Sequence, residues 1–399
     1  MRTVTFTDII GNNGVFIDGD WVESKDQNPN GEVRLLQLAD IGDGYFINKS
    51  NRFLTLESAK KLKCTFLEAG DILVARMPDP LGRACIFPGL EKPCVTVVDV
   101  CIIRPDKEFV SIEWLKFLIN SIDYRNTINK FITGTTRQRI SRGNLAKLSF
   151  RLPPLQDQIR IAEILTQAEN LITQRKKSIL LLDELLKSTF LEMFGDNSYP
   201  INTIENISLN IVDCPHSTPK YQDSISDYPC IRTSEIKNGK IDWTSMKYTN
   251  YEGYLQRVER LVPQAGDIIF AREGSVGDAA IIPQNITLSL GQRVMLFRIN
   301  PEYAVAEYFW SLIKSDKIQQ IIKSKSIGAT VSRINMSEVR KIPCPIPPIE
   351  LQNKFANIVE KVDVLKSNYE ASLKELENMY GVLSQKAFKG ELNLKKLNK

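Results

Sequence analysis

The sequence predicts an α+β protein: two similar α/β domains held apart by two long antiparallel helices in a coiled coil, with internal pseudo-two-fold symmetry. Three observations carry that prediction. A proline pair in Leu152-Pro153-Pro154-Leu155-Gln156-Asp157-Gln158 opens a run to Gly195 that contains neither Pro nor Gly. Proline is tolerated in a first helical turn and breaks a helix interior, so the run reads as one long helix. The signal returns as Ile346-Pro347-Pro348-Ile349-Glu350-Leu351-Gln352 before a second long Pro-free stretch. Equivalent residues, Pro153 and Pro347 or Phe194 and Phe388, are separated by a constant 194 positions.

That duplication divides the 399 residues into a first domain (1–150), a central long helix (151–196), a second domain (197–344) and a C-terminal long helix (345–399). Both domains are long enough to hold a core of their own. In the first, short β-type runs at Val33–Leu38, Asp71–Arg76 and Val95–Ile103 follow a Gly- and Asn-rich loop through Asn30-Gly31. A helix is expected from Ser111 to Ser121. The second domain repeats the order: Ala69-Gly70-Asp71-Ile72 returns as Ala265-Gly266-Asp267-Ile268, Arg76 as Arg272, Arg104 as Arg298, and Arg139-Ile140 as Arg333-Ile334. Asp40-Ile41 with Gly44 matches Glu235-Ile236 with Gly239.

Along the first helix, Ile161, Ile164, Ala168, Leu171, Leu182 and Leu185 occupy two positions of a heptad, which predicts a helix-pair seam. The matching frame in the second helix is Phe355, Ile358, Val362, Leu365, Tyr369, Leu376, Met379 and Leu383. Arg175 interrupts the first seam and could fix its register. Leu165, Ile172, Ile179 and Leu186 widen the stripe and read as a surface for a partner or as burial against the domains. A helix of ~38 residues is about 57 Å long, which would place the globular domains at opposite ends.

Composition narrows the function classes. Hydrophobic residues at 43% and charged residues at 25% describe a soluble globular chain, and a net charge of +5 permits a polyanionic partner without demanding one. Seven cysteines without a Cys-x-x-Cys pair, and His216 as the only histidine, leave no zinc site and fit a reducing cytoplasm. There is no phosphate-binding Gly-rich loop, no amino-methyltransferase motif and no complete nuclease motif, so neither a catalytic site nor a cofactor is expected. Pro215 separates Cys214 from His216 and biases the segment to a loop rather than a nucleophile–base pair.

Polar clusters at turns are the candidate contacts. In the second domain they are His216, Ser217, Thr218 and Lys220; Arg232 and Thr233; Arg272, Glu273 and Ser275; Gln292 and Arg293; and Arg333. In the first they are Lys49, Arg52, Arg76, Arg83, Arg137 and Arg139. Arginine and amide side chains near glycine turns suit phosphate or base-edge contacts. For Arg76 and Arg272 the alternative is an ion pair with a nearby carboxylate.

With those residues in view, the chain resembles the specificity subunits of type I restriction-modification systems. The two Pro-Pro-led helices carry the resemblance, with the helix ends Phe190-Leu191-Glu192-Met193-Phe194-Gly195 and Gln385-Lys386-Ala387-Phe388-Lys389-Gly390. It implies two target-recognition domains, each reading half of a bipartite, asymmetric sequence in double-stranded DNA. It also implies a subunit without catalytic activity, docked to two methyltransferase subunits and, in the full nuclease and adenine-methylating complex, to motor-nuclease subunits. Leu165, Ile172, Ile179 and Leu186 are then the candidate methyltransferase surface. The remaining alternatives are the specificity module of another restriction-methylation enzyme and a scaffold bearing two protein-binding domains.

Overall fold

A computed structural model describes residues 2–394 except 13, 79, 135–137, 196–197 and 329. The chain folds as two compact units, Met1–Lys176 with Ser372–Lys399, and Lys177–Ala371. Each unit therefore combines one globular domain with stretches of both long helices, Leu155–Phe194 and Ile349–Lys389.

The first unit contains a four-stranded antiparallel sheet in the order Val15–Asp18, Val100–Arg104, Ile72–Ala75, Ala84–Ile86. A second sheet orders Phe53–Leu54, Val33–Leu36 and Cys94–Thr96, the last two strands running parallel. Helix Ile112–Asn120, capped by the Ser111 hydroxyl, buries Trp114, Leu115, Phe117, Leu118 and Ile119 against the first sheet, as its apolar spacing predicts. Strand Val15–Asp18 was not expected: it lies within the segment read as a loop, because four residues between Gly14 and Gly19 give no alternation to detect. Its place is fixed by ladder bonds to Val100–Arg104 rather than by propensity.

The second unit repeats both sheets. Ser208–Asp213, Val294–Ile299, Ile268–Ala271 and Ala279–Ile281 form the four-stranded sheet; Lys247–Tyr248, Pro229–Ile231 and Ser289–Leu290 form the three-stranded one. Its core gathers Phe270, Phe297, Tyr308 and Phe309 with Phe190, Phe194 and Phe355 from the long helices.

The Pro-Pro motif has a physical purpose that spacing alone did not reveal. Gln158 is fully buried; its Oε1 accepts the Ser111 amide at 2.9 Å, and its Nε2 donates to the carbonyls of Phe109 (3.0 Å) and Pro153 (2.9 Å). Gln352 repeats the clamp with the Val305 amide at 3.0 Å and the carbonyls of Tyr303 and Pro347 at 3.0 and 2.8 Å. Each helix is thus bolted to the domain that precedes it, with no buried amide group of the glutamine left unpaired.

The clamp also fixes the helix rotation and corrects the predicted seam. Residues seven apart from Gln158 lie nearly in phase with it, so Leu165, Ile172, Ile179 and Leu186 face inward rather than outward. Leu165 is 0% exposed and the other three are half-buried. Ile161, Ala168, Leu182, Phe355 and Val362 are buried as expected, and Leu376 is half-buried. Leu171 and Leu185, at 48% exposure each, Leu365 at 38% and Met379 at 44% leave the seam, while Ile164 and Ile358 sit half-buried at its shoulder. The apolar stripe is wide enough to fit two heptad frames, and the buried glutamine selects between them.

Within each unit the two long helices run antiparallel. In the first, Tyr380 donates to Glu169 at 3.1 Å and Lys176 pairs with Glu377 at 2.8 Å. In the second, the Lys366 ammonium donates to both Asp183 oxygens at 2.6 and 2.7 Å, and Phe194 packs edge-on against Phe355. Arg175 falls on the inward face, half-buried.

Candidate nucleic-acid interface

The shared frame of each unit is held by two duplicated ion pairs. Arg104 grips Asp71 through Nε and Nη2 at 2.7 and 2.8 Å, and Arg298 grips Asp267 in the same way at 2.9 and 2.7 Å. Both carboxylates are buried and also accept backbone amides, from Glu68 and Gln264. Bidentate pairing in a low-dielectric setting explains why the Gly-Asp-Ile motif and the distant arginine recur together.

The second pair joins the strand edge to the predicted contact turns. Arg272 Nη1 lies 2.9 Å from Asp213 Oδ2, and Arg76 Nη1 lies 3.3 Å from Asp18 Oδ1. The amide of Arg272 donates to Arg293 O, and the amide of Arg76 donates to Asp99 O. The amides of Ile334 and Ile140 return to the carbonyls of Arg272 and Arg76 at 2.9 and 3.0 Å. These arginines act first as struts, the alternative their sequence context left open.

Beyond Asp213 the second unit opens a polar cavity of about 150 Å³ lined by Cys214, His216, Arg272, Glu273, Gln292 and Arg293. Gly291 makes this geometry possible: its amide bonds Ile231 O at 2.7 Å, and a Cβ there would collide with that carbonyl. Arg293 follows with φ +66°, an unusual value for a side-chain-bearing residue, and its Nε lies 3.2 Å from Glu273 Oε2. Gln292 Nε2 donates to Thr218 Oγ1 at 3.1 Å. Buried Arg257 braces the floor by donating to the carbonyls of Ser217 and Leu290 at 2.7 and 2.6 Å, and to Gly291. Burial pushes the Cys214 thiol up.

The first unit places a larger cavity, about 530 Å³, at the corresponding point beyond Asp18, lined in part by Asp20, Trp21, Gln37, Val98 and Asp99. The match is fixed by hydrogen bonding: Gly19 N donates to Val100 O and Cys214 N to Val294 O, at 2.7 and 3.1 Å. Trp21 therefore corresponds to His216, Val98 to Gln292 and Asp99 to Arg293. Sequence reading missed all three first-unit residues, because none is basic and the offset drifts in these loops.

The remaining predicted contacts divide clearly. Arg83 is buried and donates to the carbonyls of Ile41, Met77, Pro80 and Leu38, so it braces the domain and leaves the contact set. Arg76, 7% exposed, is committed to Asp18 and to Val98 O. Arg232 closes on buried Glu235 at 2.5 Å and caps a short 3₁₀ turn. Exposed and outward are Lys49, Arg52, Arg139, His216, Ser217, Thr218, Lys220, Ser275, Arg293 and Arg333. Arg52 also donates to Gln27 Oε1 at 2.9 Å. Glu273 pairs through its backbone with Arg333, and Thr233 lies beside Gly274, so both adjoin the Arg272 turn. Arg137 lies outside the described residues. Among the described residues no His, Cys, Asp and Glu cluster could hold a metal, and no helix is long and apolar enough to cross a membrane.

The repeated frame with two diverged polar faces defines a duplicated two-domain protein. The chain belongs to the type I restriction modification DNA specificity domain family, whose model matches it twice, at residues 11–181 and 224–378. It is 25% identical over 342 residues to a chain of Methanocaldococcus jannaschii provisionally named the MjaX type I restriction enzyme specificity subunit, covering 82% of this chain and 77% of that one. It is 22% identical to the EcoBI specificity subunit of Escherichia coli, over 67% and 64% of the two chains. The fold matches a chain solved in work on assembly and conformational transition of the type I restriction-modification system, with a TM-score of 0.64 at 15% identity over 98% of both chains. It also matches the S subunit from M. genitalium, at 0.55 and 15% over 97% and 96%. The protein is a non-catalytic specificity subunit whose role is DNA target recognition within a restriction-modification complex.

Proposed function

We propose that each unit reads one half of a bipartite, asymmetric target in double-stranded DNA, and that the paired helices set the gap between the halves. The observation that carries this reading is the double match of the specificity model onto two units with the same strand order and different polar faces. Lys and Arg contacts to phosphates supply the salt-dependent affinity, while side chains in the cavities read base edges.

The helices also dock two methyltransferase subunits, to which motor-nuclease subunits add in the full cytoplasmic complex. The docking surface is the part of the helices' exposed apolar surface that the duplication repeats. Leu171 and Met379 belong to the first unit, and their 194-offset equivalents Leu365 and Leu185 belong to the second. Two copies of one apolar pair suit two copies of one partner. Sequencing of modified adenine in cells expressing this chain with a cognate methyltransferase tests the reading. It should return two unlike half-sites with a fixed spacer; a single continuous site, or none, would reject it.

A further inference from the structure

We infer that sequence specificity is concentrated at three corresponding positions in each unit: Trp21, Val98 and Asp99 in the first, His216, Gln292 and Arg293 in the second. The inference rests on the DNA-reading role proposed above and deepens it to named side chains. Two domains that grew from one ancestor and read different half-sites must keep what builds the fold and change what touches bases. The Asp–Arg strut is kept in both units, at the end of the strand that leads to each cavity, with Asp18 and Arg76 answering to Asp213 and Arg272. The three positions beside it have diverged in every case, and in chemistry rather than merely in size.

The geometry favours base edges over phosphates. Asp99 would repel a phosphate, yet it stands where Arg293 stands in the other unit, so the position itself is not committed to backbone charge. A carboxylate there accepts from the exocyclic amino group of cytosine or adenine, and a guanidinium fork donates to guanine O6 and N7. Gln292 presents a carboxamide suited to adenine, with Val98 apolar in its place. Trp21, 70% exposed, offers an aromatic face to a thymine methyl or a base edge at the position of His216. Arg293 holds a left-handed backbone at φ +66°, and with its Nε turned to Glu273 its two Nη groups remain for a base edge.

The test uses the full chain co-expressed with its methyltransferase and maps modified adenine for two variants. Arg293→Asn tolerates the left-handed backbone and removes the fork; Asp99→Asn keeps size and adds a donor. Each bidentate contact discriminates roughly 5- to 150-fold between bases. Arg293→Asn should therefore relax one base position by about tenfold or more in one half-site, and Asp99→Asn should alter a position in the other. Trp21→His, at an exposed site, is a second variant for the latter half. Methylated motifs unchanged in both halves, or preference lost evenly across both, would overturn the inference. Failure of the underlying reading is distinguishable, because the unsubstituted complex would then yield no bipartite motif.

Discussion

The ring of Phe194 meets that of Tyr308 edge-on, with centroids 4.8 Å apart. The equivalent pair is Phe388 and Trp114, at 6.1 Å. Each domain core is thus completed by the end of the other repeat's helix: Phe190 and Phe194 enter the second unit, and Ala387 with Phe388 enters the first. Phe388→Ala should therefore destabilise the N-terminal domain, although the residue lies near the other end of the sequence. Burial of a phenylalanine in such a cluster implies a loss of about 3–5 kcal/mol for Phe194→Ala, and less for the half-buried Phe388. Hydrogen exchange checks it: protection should fall within residues 1–150 for Phe388→Ala and within 197–344 for Phe194→Ala.

The duplication and the long helices were legible because periodicity and proline placement act over many residues. The helix phase was not, since Ile164 and Leu165, or Leu171 and Ile172, satisfy alternative heptads equally well. What decides between them is a buried glutamine, two of whose three hydrogen bonds reach a loop almost fifty positions away. Candidate contacts were chosen by charge alone, which took in Arg293 at the cavity but also Arg83, a brace for four carbonyls. Trp21 and Asp99 carry no such signal. Only the bonds of Gly19 and Arg76 place them opposite His216 and Arg293.

The exposed and inward leucines of the long helices should respond differently to the same change. Leu171→Asp with Leu365→Asp alters exposed positions, so folding should shift by no more than about 0.5 kcal/mol while co-purification with the methyltransferase is lost. Leu165→Asp places a carboxylate in a fully buried site and should instead unfold the first unit. Retained assembly in the double variant, measured by size-exclusion chromatography, would remove the docking surface from consideration.

Arg139 and Arg333 occupy the same place in both units, each exposed and each bridged through its backbone to the residue six positions earlier. On the proposed reading of two unlike half-sites, retention of the same arginine in both units predicts a contact with the DNA backbone. Arg139→Ala and Arg333→Ala should each weaken binding to target and non-target DNA alike. Each should also reduce the slope of log K against log salt by about 0.9. A change in the methylated sequence would contradict that role.

Burial pushes the Cys85 thiol up to about 12 and the Cys94 thiol up to about 11. A folded-state pKa above the unfolded one means the native protein holds the proton more tightly. The corresponding stability is complete below about pH 8.5 and is lost as pH rises towards the folded values. Denaturant midpoints should therefore fall between about pH 9 and 12, where these thiols ionise only on unfolding. At neutral pH a thiol reagent should label Cys85 and Cys94 slowly in the native chain and fully in denaturant. Cys85→Ala with Cys94→Ala should flatten the alkaline decline.

The proposed spacer role predicts the outcome of lengthening the helices. Seven residues inserted between Lys176 and Lys177, and seven between Ala371 and Ser372, fall at the boundaries of the two compact units and leave each one's internal contacts intact. Seven residues make nearly two helical turns, so the inward stripe keeps its phase, and they add about 10.5 Å. Four residues would rotate Ile179 and Leu186 away from Leu165 and Ile172 by about 40° and weaken the pairing. With the seven-residue insertions, mapping of modified adenine should return both original half-sites with the gap widened by up to about three base pairs, at 3.4 Å each. An unchanged gap with full activity would show that the helices do not measure DNA. Altered half-sites would show that they shape the recognition surfaces instead.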